Sequence, residues 1–354
     1  MNLFDKYSKK IYKGAIILIT NVINKTELYN EKSPNIIAEF FNDNEYDEIL
    51  SAIKHNNYTV ICYFDENKFI SDYLNGLIKF KDFIVFNFAR NGYGPAKKSL
   101  IPTFCDLNNI KYTASDGYAC SFARQKYHVN ALLKYLNINF IESFVYKDAQ
   151  WLAGIKPNRK NTKYIVKPLF ESASQGITDK SIITLKDQYS FDKRVLDIYN
   201  NLKKTPLLIQ EFIEGYEAKT TIIEFDKPYV LDPVGVSINE IRNLKELIIT
   251  NDIAFSYNHT NFSLREEMGD EIVEQIKKES LLIYESIGMA NYGRIDCRID
   301  SKTRKIYYMD FSTMPYFVSN GEMIYALNQL GYNLNELINL LINSALISKY
   351  NYSL

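Results

Sequence analysis

The chain is short of the features that would mark it for a membrane, a nucleic acid or an oxidising compartment. No stretch approaches the roughly 20 consecutive apolar residues of a membrane-spanning helix. Its 42 Lys+Arg are matched by 42 Asp+Glu, so no surplus of one sign is left for a nucleic-acid footprint or a polybasic membrane surface. Cysteine is scarce: Cys62, Cys105, Cys120 and Cys297 are widely spaced, with no Cys-x-x-Cys pair and no histidine at metal-ligand spacing. That pattern argues against a zinc site or a disulfide framework, and for buried thiols in a reducing cytoplasm. There is also no internal repeat and no low-complexity linker, so the lobes of the chain are expected to pack together. Small-molecule chemistry is what these absences leave.

What is present is ordinary for a folded protein. With 354 residues, 46% apolar and 24% charged, the chain exceeds one hydrophobic core and predicts two or three lobes. The 28 tyrosines accompany abundant Ile, Asn and Lys, as AT-rich coding would produce, and are not read as a stacking platform. Lysines 6, 9, 10 and 13 before Gly14-Ala15-Ile16-Ile17-Leu18-Ile19 imitate a secretory signal. The run is β-branched and lacks a small-residue cleavage site, so it reads as a buried first strand.

The first third alternates. Ala15 to Val22 predicts a strand and Asn35 to Lys54 a helix, with Ile36, Ile37, Phe40, Phe41, Ile49, Leu50 and Ile53 inward. Tyr58 to Phe64 follows as a strand, Asn67 to Phe80 as a helix and Phe83 to Phe88 as a third strand. This βαβαβ order implies a parallel sheet with helices on both faces. A short helix, a longer one from Tyr118 to Leu136, and strands at Lys163 to Pro168 and Leu207 to Glu211 come next. Strands at Lys219 to Phe225, Tyr229 to Ser237, Tyr292 to Asp300 and Lys305 to Phe311, with helices at Leu264 to Ile287 and after Gly321, read as α+β.

Three motifs carry chemistry. Arg294, Asp296 and Asp310 fall on two strands joined by a charged turn. Converging on one sheet face they suit a magnesium-nucleotide reaction, as metal ligands and a fixed cation for developing negative charge; the competing reading is a surface ion pair. Lys167 ends an apolar strand just before the small-residue loop Glu171 to Gly176. The lysine can reach phosphates while loop N–H groups close over them, or it can simply reach solvent. Leu208 to Glu217 runs from a strand into a linker whose backbone can bind adenine and whose final carboxylate can bind ribose.

In this order the pieces resemble the ATP-grasp superfamily, and within it the D-alanine–D-alanine ligase-like carboxylate–amine ligases, over nearly the whole chain. The family pattern also places a lysine on a helix, matched by Lys126 in Ala-Arg-Gln-Lys-Tyr-His-Val-Asn-Ala-Leu-Leu. The resemblance implies α/β and α+β architecture: an N-terminal parallel α/β (pre-ATP-grasp) lobe over 1–115, a central ATP-grasp lobe over 116–212, and a C-terminal ATP-grasp lobe with the metal site over 213–354. It implies ATP and Mg2+, with Lys126 and Lys167 on the α- and β-phosphates and Glu171 and Ser174 in the covering loop. Gln210, Glu211, Phe212 and Ile213 would face adenine, Glu217 ribose, and Asp296, Asp310 and Ser312 the metal. Arg294 would stabilise the oxyanion of a tetrahedral intermediate. Small-molecule carboxylate and amine substrates, and a homodimer through the N-terminal lobe, follow from the same resemblance.

The departures are as informative. Ligases that join two D-alanines share an early Gly-Gly-x-Ser-x-Glu stretch, whereas here Asn21-Val22-Ile23-Asn24-Lys25 follows the first strand. The family's substrate-orienting serine falls on Ala173, its His-Gly-x-x-Gly-Glu segment becomes Arg90-Asn91-Gly92-Tyr93-Gly94-Pro95, and the serine for the second substrate's carboxylate falls near Gly321. At the metal, Asp310 replaces a glutamate and Ser312 an asparagine. The expectation is a ligase of specialised metabolism or peptide tailoring acting on substrates other than two D-alanines. A phosphotransferase and a non-catalytic nucleotide-binding protein are the alternatives.

Overall fold

Ala-Ile-Ile-Leu-Ile-Thr is buried at every position, as a central parallel strand covered on both faces must be. A computed structural model describes residues 3–27, 39–172, 174–250, 253 and 259–347 of the protein. After helix α1 (Leu3–Tyr7) come β1 (Ala15–Thr20), α2 (Asp43–His55), β2 (Val60–Tyr63), α3 (Glu66–Leu74), β3 (Phe83–Phe88) and α4 (Leu100–Leu107). The three strands are parallel in the order β2-β1-β3. Alternation divides their side chains: Ile16, Leu18, Ile84, Phe86 and Phe88 share a core with Ile49 and Ile53 of α2. Ile17, Ile19 and Val85 pack on Phe69, Ile101 and Cys105 of α3 and α4.

Next come α5 (Gly117–Arg124) and α6 (Lys126–Tyr135), then β4 (Ser143–Lys147), β5 (Gln150–Trp151), β6 (Lys163–Pro168), β7 (Ile182–Thr184), α7 (Gln188–Asn201) and β8 (Leu207–Glu211). The strands form an antiparallel sheet, β5-β4-β8-β6-β7. Tyr164, Val166, Leu207 and Ile209 bury one face under Phe191 and Val195 of α7. The alternate residues point the other way, with Ile165 opposite Gln210 and Lys167 opposite Leu208.

The remaining elements are β9 (Gly215–Glu224), β10 (Pro228–Val230), β11 (Val234–Ile238), β12 (His259–Ser263), α8 (Leu264–Met268), α9 (Asp270–Ile287), β13 (Tyr292–Asp300), β14 (Ile306–Ser312), α10 (Glu322–Asn328) and α11 (Leu334–Ile347). Their sheet runs β12-β11-β9-β13-β14, with β10 on β9. Ala218, Ile222, Ile295, Cys297, Ile299 and Tyr308 pack with α9 and also with Ala119, Ala123, Val129 and Leu133 of α5 and α6. Leu337, Ile338 and Leu341 of α11 join the core of the N-terminal sheet.

Several expected elements are shorter than the periodicity predicts, each for a local reason. Helix α2 starts at Asp43 because Asn42 and Glu45 form a reciprocal capping box. Phe40 and Phe41 therefore precede it, and Phe41 bridges to Val22; Asn35 to Ala38 lie outside the described residues. The helix expected from Tyr118 to Leu136 breaks at Gln125, where ψ is 72°. Gly269, at φ 81°, separates α8 from α9, as a left-handed residue requires. Asp232-Pro233 separates β10 from β11, since proline cannot donate to a ladder. Helix α3 ends at Leu74, before Gly76 at φ 65°. Cys105, Cys120 and Cys297 are buried and Cys62 is half-buried, all four unbridged. No helix among the described residues is long and apolar enough to cross a membrane.

Candidate functional site

The C-terminal sheet is apolar on its helix-covered face and ionic on the other, and strand register explains why. Antiparallel pairing sets Arg298 opposite Glu217, Asp296 opposite Lys219 and Arg294 opposite Thr221. On the far side of β13, Asp296 faces Asp310 and Arg294 faces Ser312. That last pairing needs a β-bulge. Cys297 pairs with Tyr308 while Asp296 pairs with Asp310, so Met309 is the extra residue. Strict alternation from the core residue Tyr308 would send Asp310 into the core; the bulge re-aims it onto the ionic face and leaves Met309 there too.

This face and the free face of the central sheet enclose a cavity of about 270 Å3, lined by Lys126, Lys167, Glu217, Arg294, Asp296 and Asp310 among others. A recess of about 90 Å3 adjoins it, walled by Ile141, Ile165, Gln210, Phe212, Ile213 and Met309. Lys167, Ser174, Glu217, Met309 and Asp310 line both spaces. The sequence-predicted residues are thus brought together, with one mostly apolar end and one ionic end.

At the ionic end Arg294 forks onto Asp296, Nε to Oδ1 at 2.7 Å and Nη2 to Oδ2 at 2.8 Å. Its Nη1 lies 3.7 Å from Glu322 Oε2. Burial works against the guanidinium charge, yet Asp296 and Glu322 hold its pKa above the ordinary value. Asp296 shifts upward, because burial outruns the pull of Arg294 and Lys219. Asp310 shifts downward: burial opposes its charge, but Lys126 and Lys167 prevail. Lys126 Nζ lies 3.3 Å from Asp310 Oδ1 and donates to the Glu171 carbonyl at 2.6 Å. The break at Gln125 gives Lys126 this reach, and it turns Arg124 toward Glu171 as well, at 3.4 Å. The ammonium of buried Lys167 has its pKa lowered by burial, with Asp310 opposing.

At the apolar end, Ser143 Oγ donates to the Ile141 carbonyl at 2.8 Å and accepts the Gln210 side-chain N–H at 2.8 Å. This fixes the carboxamide orientation, and Gln210 Oε1 is left buried without a hydrogen-bond partner. Of the linker's backbone, the Phe212 N–H is spent on the Lys163 carbonyl and the Ile213 carbonyl on Arg298. Glu211 pairs with Arg159. Burial raises the pKa of Glu217 despite Arg298 at 3.5 Å. In the covering loop, Ser174 (φ 52°) and Gly176 (φ 74°) are left-handed, and Ser172 Oγ accepts from Arg124 at 3.3 Å.

Three contributors are missing from the sequence reading. Arg298 braces the linker, donating to Ile213 and Leu247 carbonyls at 2.8 and 2.7 Å with its guanidinium 4.9 Å from the Phe212 ring. Lys219 forms an ion pair with Glu322, and strand parity with Glu217 was the one available clue. Glu322 lies on α10, far away in the sequence. Burial opposes its charge, but Lys219 and Arg294 depress its pKa. Its ion pairs therefore stabilise fully above its ordinary value of 4.5 and weaken as pH falls through the depressed one. The thermal midpoint should drop on acidification below 4.5 more steeply in the wild type than in Glu322→Gln.

Among the described residues, no group of three or more His, Cys, Asp or Glu side chains could hold a metal by itself. Two facing carboxylates and the Ser312 hydroxyl nevertheless fit Mg2+, which keeps several waters and takes one or two carboxylates together with substrate phosphates.

A family model for the D-ala D-ala ligase C-terminus matches residues 156–343. Curated relatives include a D-alanine–D-alanine ligase of Rickettsia bellii, 24% identical over 239 residues and covering 68% of each chain. Another, from Fervidobacterium nodosum, is 24% identical over 274 residues, covering 74% of this chain and 81% of its own. Among solved structures, D-alanine–D-alanine ligase from Bacillus anthracis complexed with ATP superposes with a TM-score of 0.67 at 14% identity, over 94% of this chain and 98% of that one. The VanG D-Ala:D-Ser ligase from Enterococcus faecalis superposes at 0.66, with 13% identity, over 94% and 100%. With more than half of its length matched to the family model, and the fold shared almost end to end, the chain belongs to the D-ala D-ala ligase C-terminus family and has the ATP-grasp fold.

Proposed function

We propose that the protein is an ATP-dependent carboxylate–amine ligase that forms an amide through an acylphosphate, on an amino acid or peptide-like substrate other than two D-alanines. The observation that carries this reading is one cavity joining an apolar recess, a lysine pair and the Arg294–Asp296–Asp310 face. Family membership supports it. The recess suits adenine, with the unpartnered Gln210 oxygen as acceptor for its amino group, and Glu217 suits the ribose hydroxyls. Lys126 and Lys167 neutralise phosphate oxygens, and the Glu171 to Gly176 loop excludes water from the activated acid. Asp296, Asp310 and Ser312 would hold magnesium, which supplies further charge neutralisation on the phosphates when bound.

A carboxylate oxygen of the substrate attacks the γ-phosphorus and ADP departs, converting an unreactive acid into an acylphosphate. The amine nitrogen of the acceptor then attacks the acyl carbon, the carbon–oxygen bond to phosphate breaks, and the proton that the nitrogen sheds is taken up by the departing phosphate. Negative charge collects on the carbonyl oxygen between these events, and Arg294 is the cation placed to meet it. Two D-alanines are disfavoured by the site's own groups. Asn21, after β1, is consumed by the Arg90 N–H at 2.5 Å and by Glu66 at 3.2 Å. Next to Gly321, where the resemblance would put a serine for the second substrate's carboxylate, Glu322 is buried with its carboxylate already paired to Lys219 and near Arg294.

The test is incubation of the full chain with Mg-ATP and pooled amino acids, short peptides and amines, with assays for phosphate release and new masses. ADP, phosphate and an amide are expected. ADP with a phosphorylated acceptor would make the protein a phosphotransferase, and tight ATP binding without turnover a nucleotide-binding protein. A narrower expectation concerns Gln210→Leu. One net hydrogen bond of about 1 to 1.5 kcal/mol should disappear, raising the KM for ATP roughly 5- to 10-fold with kcat nearly unchanged; an unchanged KM would remove Gln210 from the adenine site.

A further inference from the structure

The end of the large cavity against the N-terminal lobe is built around buried charge that nucleotide chemistry does not use. Glu39 is 3% exposed and pairs with Lys97 at 3.1 Å, Lys98 at 2.7 Å and Arg124 at 3.3 Å. A fourth cation, Arg90, is 2% exposed and lies among the Phe41, Tyr316 and Phe88 rings at 4.9, 5.2 and 5.5 Å. Its Nε donates to the Phe88 carbonyl at 3.2 Å and its Nη1 to the Glu39 carbonyl at 3.3 Å. Its Nη2 is buried and has no hydrogen-bond partner. Arg90 and Lys98 both line the large cavity, with Glu39, Glu45 and Glu171.

Two features of this cluster point to a ligand. A guanidinium N–H shut away from water without an acceptor is costly, and the aromatic cage holds the fork in place so that it cannot turn elsewhere. The charges also fail to cancel when Lys98 is protonated: Arg90, Lys97, Lys98 and Arg124 then stand against Glu39, Glu45 and Glu171, leaving one unit of positive charge. One carboxylate would balance it, whereas a phosphate dianion would overshoot. Arg90 offers its free Nη2, and the Lys98 ammonium has three donors, of which Glu39 engages part.

We propose that this is a carboxylate subsite, and that the substrate seated against the N-terminal lobe is an amino acid or peptide bearing a second carboxylate, held by Arg90 and Lys98. This deepens the ligase reading and rests on it only for the bond that is made. The subsite reads the group that stays unreacted. A ligand offering an ammonium at this point meets surplus positive charge, and one offering an amide places a second N–H donor group against donors.

The test is calorimetric binding of glutamate and aspartate, in both enantiomers, against glutamine and asparagine, to the full chain with Mg-ADP, alongside phosphate release with Mg-ATP and a panel of amines. At least one acid is expected to bind 10-fold or more tighter than its amide. Arg90→Met and Lys98→Met should each erase that preference while leaving Mg-ADP affinity within about 2-fold. Using both variants guards against one of them failing to fold. Acid-selective binding without turnover on any amine would support the subsite while counting against the ligase reading. Efficient amide formation from substrates with no second carboxylate would overturn the subsite and leave the ligase reading standing. Binding of no acid, or a preference that survives both variants, would also overturn it.

Discussion

Arg294→Ala is expected to lower turnover about 100- to 1000-fold, the usual loss when a donor aimed at a developing oxyanion is removed, with ATP affinity changed only a few-fold. The guanidinium is held at both ends, forked on Asp296 and drawn toward Glu322, so its position costs nothing to organise during reaction. Arg294→Lys should recover little, because an ammonium cannot span both oxygens of Asp296 while facing the cavity. Steady-state kcat and KM combined with equilibrium ATP binding separate the cases. Parallel loss of turnover and ATP binding would mean that Arg294 serves the nucleotide, and the oxyanion role would fall.

Glu39→Ala should be the most destabilising substitution in the N-terminal lobe. It strips three buried cations, Lys97, Lys98 and Arg124, of a shared partner, and removing one member of a buried ion pair costs about 3 to 5 kcal/mol. That is a large part of the roughly 5 to 15 kcal/mol that hold a domain folded. Its size should depend on pH. Burial already lowers the pKa of Lys98 to about 7 against the attraction of Glu39, so without Glu39 the lysine sheds its proton more readily. The loss in urea unfolding should therefore be larger at pH 6 than at pH 8, where a neutral Lys98 needs no counter-ion. A loss below about 1 kcal/mol at both would show that Glu171, which already pairs with Arg124 and lies 4.0 Å from Lys97, takes over.

The parts legible in the sequence are those governed by short-range periodicity. The unbroken apolar run at Ala15–Thr20 announced a doubly covered strand, and the apolar run ending in Lys167 announced the strand that carries it to the cavity, while the α7 helix that covers the strand's other face went unread. Arg294 and Asp296 were readable as same-face residues because they are two apart. Less legible was everything that depends on a partner remote in the chain. Glu39 meets Lys97 and Arg124 only once the fold is formed, and Glu322 reaches back to Lys219 across 103 positions. Element breaks at Gln125 and Gly269 were invisible to a helical period that continues through both. The linker after β8 reads in the sequence as open backbone, whereas two of its groups are already engaged by Lys163 and Arg298.

The bulge in β14 has a consequence for what the chain can do without. If either Met309 or Asp310 were deleted, Tyr308 and Phe311 would still reach the core and the ladder to β13 would close in regular register. The sheet has no use for the additional residue. Its product is a place where thioether and carboxylate stand side by side at the meeting of the two cavities, so that one strand end presents both an apolar and a charged surface. A one-codon deletion there would leave a regular ladder and remove one of the two side chains, thioether or carboxylate, from the meeting of the cavities.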